Sequence, residues 1–349
     1  VKKIMYTWII FLIMLFICFI AVAKFYPIVK AAFLSSGKNE VFVKNDNEPE
    51  DKKTFEVYYY NDFQGRFKTF EQAVSNAKKK QHSSVRKRGE DTALWNNYAS
   101  YKVYQGRRFL GDFKSFAESV SYAKGHTNTT VYFKENQNPV WEKEEESRKK
   151  IVIDAPLLSQ QPELPRGCEV TSLSMMLQFT GVKADKITLA KEVKKDLTVY
   201  QVRNGSIFFG NPYDGYVGNM YTFSEPGYGV YHGPIVDLAE KYLPNQIIDM
   251  TGAEFTDLFF SLKKGRPVWV IVNTTFDKLP ENLFEKWETP SGPVNITYKE
   301  HSVLLTGYDG TYIYFNDPLA NIKNRKIPII MFKRAWEQMG KQAVTYIPK

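Results

Sequence analysis

Cysteine and histidine are scarce in this 349-residue chain, at two and four residues. Two cysteines exclude a disulfide-dense secreted scaffold, which uses several bridges in place of a large core. No Cys or His pair stands at zinc-ligand spacing, and no glycine-rich loop of the phosphate-cradling kind occurs. The sequence therefore implies no metal and no cofactor. Hydrophobic residues make up 43% and charged residues 24%, which is ordinary for a chain that buries a core and excludes global disorder and collagen-like repeats. Long apolar runs are confined to one, which excludes a many-span transporter. The length suits two or three domains of about 100–200 residues each.

The charge present leans positive, to a formal +9, and unevenly. Residues 1–53 carry 8 basic and 5 acidic side chains, residues 54–143 carry 15 and 9, and residues 144–349 carry 24 of each. A neutral C-terminal half argues against a nucleic-acid enzyme, whose active domain must neutralise phosphates, so nucleic acid is not an expected partner. The basic middle suits an anionic surface such as lipid headgroups or an acidic cell wall, or is a solvated face.

The long apolar run, Ile4 to Ala23, is 20 residues with Thr7 as its clearly polar member. At ~1.5 Å per residue it spans ~30 Å, the thickness of a bilayer's hydrocarbon core. Lys2 and Lys3 precede it and would keep the N-terminus in the cytoplasm. Residues 1–25 are thus expected to be a membrane anchor, with everything after Lys24 outside the cell. A cleavable signal segment is the rival, since Ala21-Val22-Ala23 has the small-x-small pattern, although the run is long for an apolar region of ~7–15 residues. Cys18 lies inside the run as filler. Polar, aperiodic residues up to Lys53 make 26–53 a linker.

The next stretch contains itself twice. Shifted by 46 positions, Val57 falls on Val103, Gly65 on Gly111, Phe70 on Phe116, Val85 on Val131 and Trp95 on Trp141, without a gap. Such self-similarity marks a duplicated unit, with copies at 54–99 and 100–146. Each copy reads as an alternating aromatic strand, a Phe-x-Gly-x-Phe turn into a second strand, then a helix. Thr69 with Gln72, and Ser115 with Glu118, have the capping-box pattern. Phe70, Ala73, Val74 and Ala77 share one helical face, and a β run follows around Val85 or Val131. The units are binding or spacing modules, or only hold the rest away from the membrane.

Cys168 is the one cysteine expected to be exported. Gly167 precedes it, Val170, Leu173, Met176 and Leu177 follow at helical spacing, and Gly181 is a C-terminal cap. The first turn of a buried helix favours thiolate over thiol; the bland alternative is a small buried hydrophobe. His82 and His126 do not align between the copies, and His232 falls in the Gly/Tyr-rich stretch GYGVYHGP, a loop near the site. His301 differs, because it opens HSVLLTGYDGTYIYFNDP, two apolar β runs joined at Asp309-Gly310. A three-residue loop with Gly310 in the left-handed position would set Gly307 opposite Thr311, and His301 directly across from Asp317 rather than Asn316. A carboxylate there fixes the imidazole tautomer and supports its positive charge. The order Cys…His…Asp, with His301 133 residues after Cys168 and Asp317 16 further on, has papain-like spacing without the papain signature.

Residues 150–349 resemble the bacterial peptidase-like domains related to the double-glycine (bacteriocin-leader-processing) cysteine peptidases of the papain-like clan. The resemblance rests on PLLSQQPELPRGCEVTSLSMML, GYVGN…PGYGVYHGP, KKGRPVWV and HSVLLTGYDG…FNDP. It implies a papain-like α+β fold with Cys168 as nucleophile, His301 as base and Asp317 as orienter. It also implies a glutamine oxyanion donor eight residues before the cysteine, Gln160, with Gln161 adjacent. The ATP-driven transporter of the leader-processing relatives is not in this sequence, so the substrate stays open. The expected function is extracellular cysteine-type hydrolysis of a peptide or amide bond in a peptide or protein substrate. The alternatives are cell-wall peptide amidase or transpeptidase work, and non-catalytic surface binding.

Overall fold

The computed structural model describes residues 54–90, 92–143 and 150–349. The expected anchor (1–25) and linker (26–53) lie outside the described residues. No helix among the described residues is long and apolar enough to cross a membrane.

Alternating aromatic segments form strands. β1 (Phe55–Tyr59) and β2 (Asp62–Phe67) lead to helix α1 (Phe70–Ala77), β3 (Ser83–Lys87) and β4 (Ala93–Asn96). Then β5 (Tyr101–Gln105) and β6 (Arg108–Phe113) lead to α2 (Phe116–Lys124), β7 (Thr129–Phe133) and β8 (Pro139–Glu142). Each set makes a four-stranded antiparallel sheet, ordered β2-β1-β3-β4 and β6-β5-β7-β8. Val57 pairs with Gly65 and Val103 with Gly111, each followed by a bulge. The Thr69 and Ser115 hydroxyls accept from the backbone N–H of Gln72 (3.2 Å) and Glu118 (3.3 Å), caps worth about 1 kcal/mol each. The reciprocal half of the expected capping boxes is not formed.

The first sheet encloses a small core of Val57, Ala73, Ala77 and Val85. The second does not stop at its own boundary: Val103, Phe116, Val131 and Trp141 belong to the same apolar core as the C-terminal domain. Lys124 pairs with Asp257 (2.7 Å), and Asn136 donates to the Pro348 carbonyl (2.7 Å). Between the sheets, His82 Nδ1 meets Asp112 (2.7 Å) and stacks on Tyr60, a structural role. His126 packs on Tyr122.

The C-terminal domain begins with β9 (Ile151–Val152) and continues through α3 (Cys168–Phe179), α4 (Lys186–Glu192), β10 (Lys195–Asp196), β11 (Gln201–Arg203), β12 (Ser206–Phe208) and β13 (Tyr216–Val217). Next come α5 (His232–Tyr242), β14 (Ile247–Asp249), α6 (Leu258–Lys263), β15 (Val268–Asn273), β16 (Glu285–Trp287) and β17 (Val294–Ile296). It closes with β18 (Glu300–Tyr308), β19 (Tyr312–Asp317), β20 (Ile322–Pro328), α7 (Ile329–Gln338) and β21 (Ala343–Tyr346). The main sheet runs β14-β21-β15-β18-β19-β20, with β9 beside β18. β15 is buried at every residue, as a central strand covered on both faces must be. α3 is buried from Cys168 to Leu177, which makes it a core helix. Trp269 Nε1 donates to the Glu169 carbonyl (3.0 Å) and Ser172 Oγ to the Ser302 carbonyl (3.1 Å), tying its first turns to the sheet. Gly181, at φ +87°, follows the helix as expected.

The β18–β19 hairpin corrects the expected register. Tyr308 pairs with Ile313, Gly307 with Tyr314, Leu305 with Phe315 and Leu304 with Asn316, with Thr306 bulged out. Gly310 is not in the left-handed region. The Asp309 carboxylate organises the turn instead, accepting from Thr311 N (2.8 Å) and Tyr312 N (2.7 Å) and from the Tyr314 hydroxyl (2.7 Å). The glycine that matters is Gly307, where a Cβ would stand 2.0 Å from the Ile151 carbonyl oxygen of β9. His301 is therefore not directly opposite Asp317; the two are diagonal neighbours, which long side chains still bridge.

Candidate active site

The histidine and the aspartate meet. His301 Nε2 lies 3.0 Å from Asp317 Oδ1, and both residues are buried. The same oxygen accepts from the Leu319 and Ala320 N–H groups (3.0 and 3.1 Å), and Oδ2 accepts from Arg325 (2.7 Å). Burial alone would raise the Asp317 pKa, but His301, the Ala320 N–H and Arg325 outweigh it and hold the carboxyl at about 2. Arg325 is itself seated over the Phe276 ring, whose edge meets His301. Asn316 serves the fold: its amide donates to the Ala155 and Pro156 carbonyls (3.1 and 2.9 Å) and accepts from Asn324 N (3.0 Å).

Cys168 stands at the start of α3, 7% exposed. Gly167 N-caps the helix without a side-chain bond; a Cβ there would sit 2.5 Å from the Leu164 Cβ. The thiol donates to Glu169 Oε2 (3.4 Å) and lies 4.0 Å from Glu300 Oε2. No hydrogen bond joins Cys168 to His301 among the described residues. Adjacent side chains on a strand leave on opposite faces, so Glu300, which reaches Cys168, and His301, which reaches Asp317, point in different directions.

The electrostatics of Cys168 reverse the sequence-based expectation of a thiolate. Burial, then the Glu169 and Glu300 carboxyls, push its thiol well above the usual range, against the pull of the Ser302 N–H. Burial also pushes Glu169 up to about 7, although Val230 N donates to it (2.8 Å). Glu300 is raised well above the carboxylate range by burial and by Glu169, and its Oε1 is enclosed without a partner. Three acidic groups this close are accommodated by protons; their donor atoms, all within 4.8 Å of one another, are also near enough to hold one cation. Glu169 and Glu300 escaped the sequence reading because they stand next to Cys168 and His301 in sequence, 131 residues apart, and only the packing of α3 on β18 unites them. Gly229 leaves them room: its Cβ would sit 2.3 Å from Glu169 Oε1.

Gln160 is 2% exposed, whereas Gln161 is exposed. The Gln160 amide N–H groups are engaged in their own loop, with the Pro165 (2.8 Å) and Leu164 (3.4 Å) carbonyls, and Oε1 is enclosed without a partner. His232 is not in a loop. It opens α5, with Nδ1 2.9 Å from Asp249. A groove of about 480 Å³ is lined by Leu197, Val199, Tyr216, Met220 and Tyr221 among others. Burial, then Glu169, Cys168 and Glu300, raise Tyr216.

A cysteine heading the central helix and a histidine–aspartate pair on the adjoining sheet define a cysteine-peptidase-like α+β domain. Residues 152–344 match the Peptidase_C39 like family, and the chain belongs to it. It is 44% identical over 194 residues to the uncharacterized protein YvpB of Bacillus subtilis (strain 168), covering 55% of this chain and 74% of that one. It is also similar to the crystal structure of a protein assigned as a C39-like peptidase from Bacillus anthracis, at 50% identity and a TM-score of 0.54, covering 58% of this chain and 98% of the other. The family match begins after both four-stranded sheets.

Proposed function

We propose that the chain is a cysteine peptidase that hydrolyses peptide bonds outside the cell membrane, to which Ile4–Ala23 tethers it. The observation that carries the reading is the buried His301–Asp317 pair (3.0 Å), with its carboxylate held ionised, in a family member whose central helix begins at Cys168. His301 Nε2 is committed to Asp317, which leaves Nδ1 to take the thiol proton. The sulfur then attacks the carbonyl carbon, and the oxyanion draws on the first-turn N–H groups of α3 and on the Gln160 amide once it leaves Pro165. His301 protonates the departing amine, and water cleaves the thioester with His301 as base. Attack requires the Cys168 side chain to turn away from both Glu169 and Glu300 and reach His301, with which it shares no hydrogen bond among the described residues. The apolar groove beside Tyr216 suits an extended peptide with apolar side chains. The two 46-residue units, whose sheets share order and bulge position, are read as a duplicated module. The test is turnover of a peptide library by the wild type against Cys168→Ala and His301→Ala; cleavage confined to the wild type supports the reading, and cleavage by Cys168→Ala ends it.

A further inference from the structure

A second site lies between the two four-stranded sheets. The cleft there has a volume of about 750 Å³ and is lined by Arg86, Lys102, Arg107, Arg108 and Lys134, with Glu135 as the acid among its described lining residues. The lysines are engaged: Lys102 with Glu135 (2.9 Å), Lys134 with Glu240 (3.3 Å) and Asn245 (2.8 Å). None of the three arginines has a carboxylate partner among the described residues. Arg86 lies over the Tyr58 ring (4.3 Å), and its Nε is enclosed without a hydrogen-bond partner. Guanidinium groups gathered on a concave wall repel one another until an anion enters, and their planar fork matches phosphate oxygens in pairs.

The aromatic residues narrow the choice of anion. Phe109 stacks with Tyr98 (4.6 Å) and Tyr60 (6.2 Å), and Tyr104 meets Tyr132 edge to face (5.7 Å). Rings paired with one another in this way are less available than free ones as the platforms on which nucleobases stack. Besides charge and aromatic rings, the lining includes hydroxyl and amide groups, from Thr92, Tyr98, Tyr104 and Asn96, which suit a ligand rich in hydroxyls.

We propose that this cleft binds a phosphodiester-linked polyol chain, the arginines taking phosphates and the tyrosine and asparagine groups taking hydroxyls. The site is separate from Cys168 and does not depend on the hydrolase reading. The test titrates the full-length protein with fluorescent poly(glycerol phosphate), with oligothymidylate of matched charge as the comparison. The expected result is saturable binding that weakens as salt rises, oligothymidylate at least ten-fold weaker, and a further ten-fold loss in the double variant Arg107→Gln, Arg108→Gln with Cys168 alkylation unchanged. Absence of saturable binding, equal affinity in the double variant, or oligothymidylate binding as tightly would each overturn it.

Discussion

Replacing Glu300 by glutamine removes one of the two carboxyls beside the Cys168 thiol while keeping its shape. At the 4.0 Å between Cys168 Sγ and Glu300 Oε2, two unit charges repel by about 4 kcal/mol at an effective dielectric near 20. Proton sharing with Glu169 reduces the part that the thiolate feels. We therefore expect the pH midpoint of Cys168 alkylation by iodoacetamide, followed by mass spectrometry of its peptide, to fall by at least about one unit, or ~1.4 kcal/mol. Stability gives an independent reading. Glu169 is raised from 4.5 to about 7 and Glu300 is raised well above 4.5. The folded state thus binds more protons than the unfolded one above pH 4.5, and stability falls as pH rises from there towards 7. Glu300→Gln should flatten that decline. An unchanged or higher alkylation midpoint, or an unchanged pH slope in denaturant melts, would refute the arrangement.

Other expectations follow from the same geometry. Asp317 is held at about 2 against an ordinary 3.8. With allowance for partial screening this is worth about 1–2 kcal/mol, present above pH 4 and lost as pH falls through 2. Asp317→Asn should lose that increment in urea melts at pH 7 and lower turnover by very roughly 10²–10⁴-fold. Asn316→Ala should destabilise the fold by about 2–4 kcal/mol through three lost hydrogen bonds, yet leave the pH profile of Cys168 unmoved. Gly307→Ala forces a methyl group against the β9 backbone and should lower stability by about 1–3 kcal/mol, read as a fall in Tm. A fragment of residues 100–349 should melt close to the full chain, whereas one of 150–349, stripped of Phe116 and Trp141, should melt several degrees lower.

Local chemistry was readable in the sequence wherever spacing alone decides it. Gly181 closes α3, Thr69 and Ser115 cap their helices, and the HSVLLTGYDG…FNDP motif brings His301 and Asp317 together. The hairpin register was not readable, because Asp309 shapes the turn with its side chain and the Thr306 bulge shifts the pairing. Periodicity reports neither. The Cys168 environment was hidden for a different reason. The helix-dipole argument counts only the first turn of α3, whereas the thiol answers to burial and to two carboxyls, one of them supplied by β18.

The most direct test of the account is the intact mass of the protein quenched during turnover of a cleavable peptide. Cysteine-peptidase chemistry predicts an acyl adduct equal to the N-terminal product less water, mapped to Cys168, absent from Cys168→Ala and diminished in His301→Ala. Peptide cleavage by the wild type with no adduct on Cys168, and equal cleavage by Cys168→Ala, would contradict it.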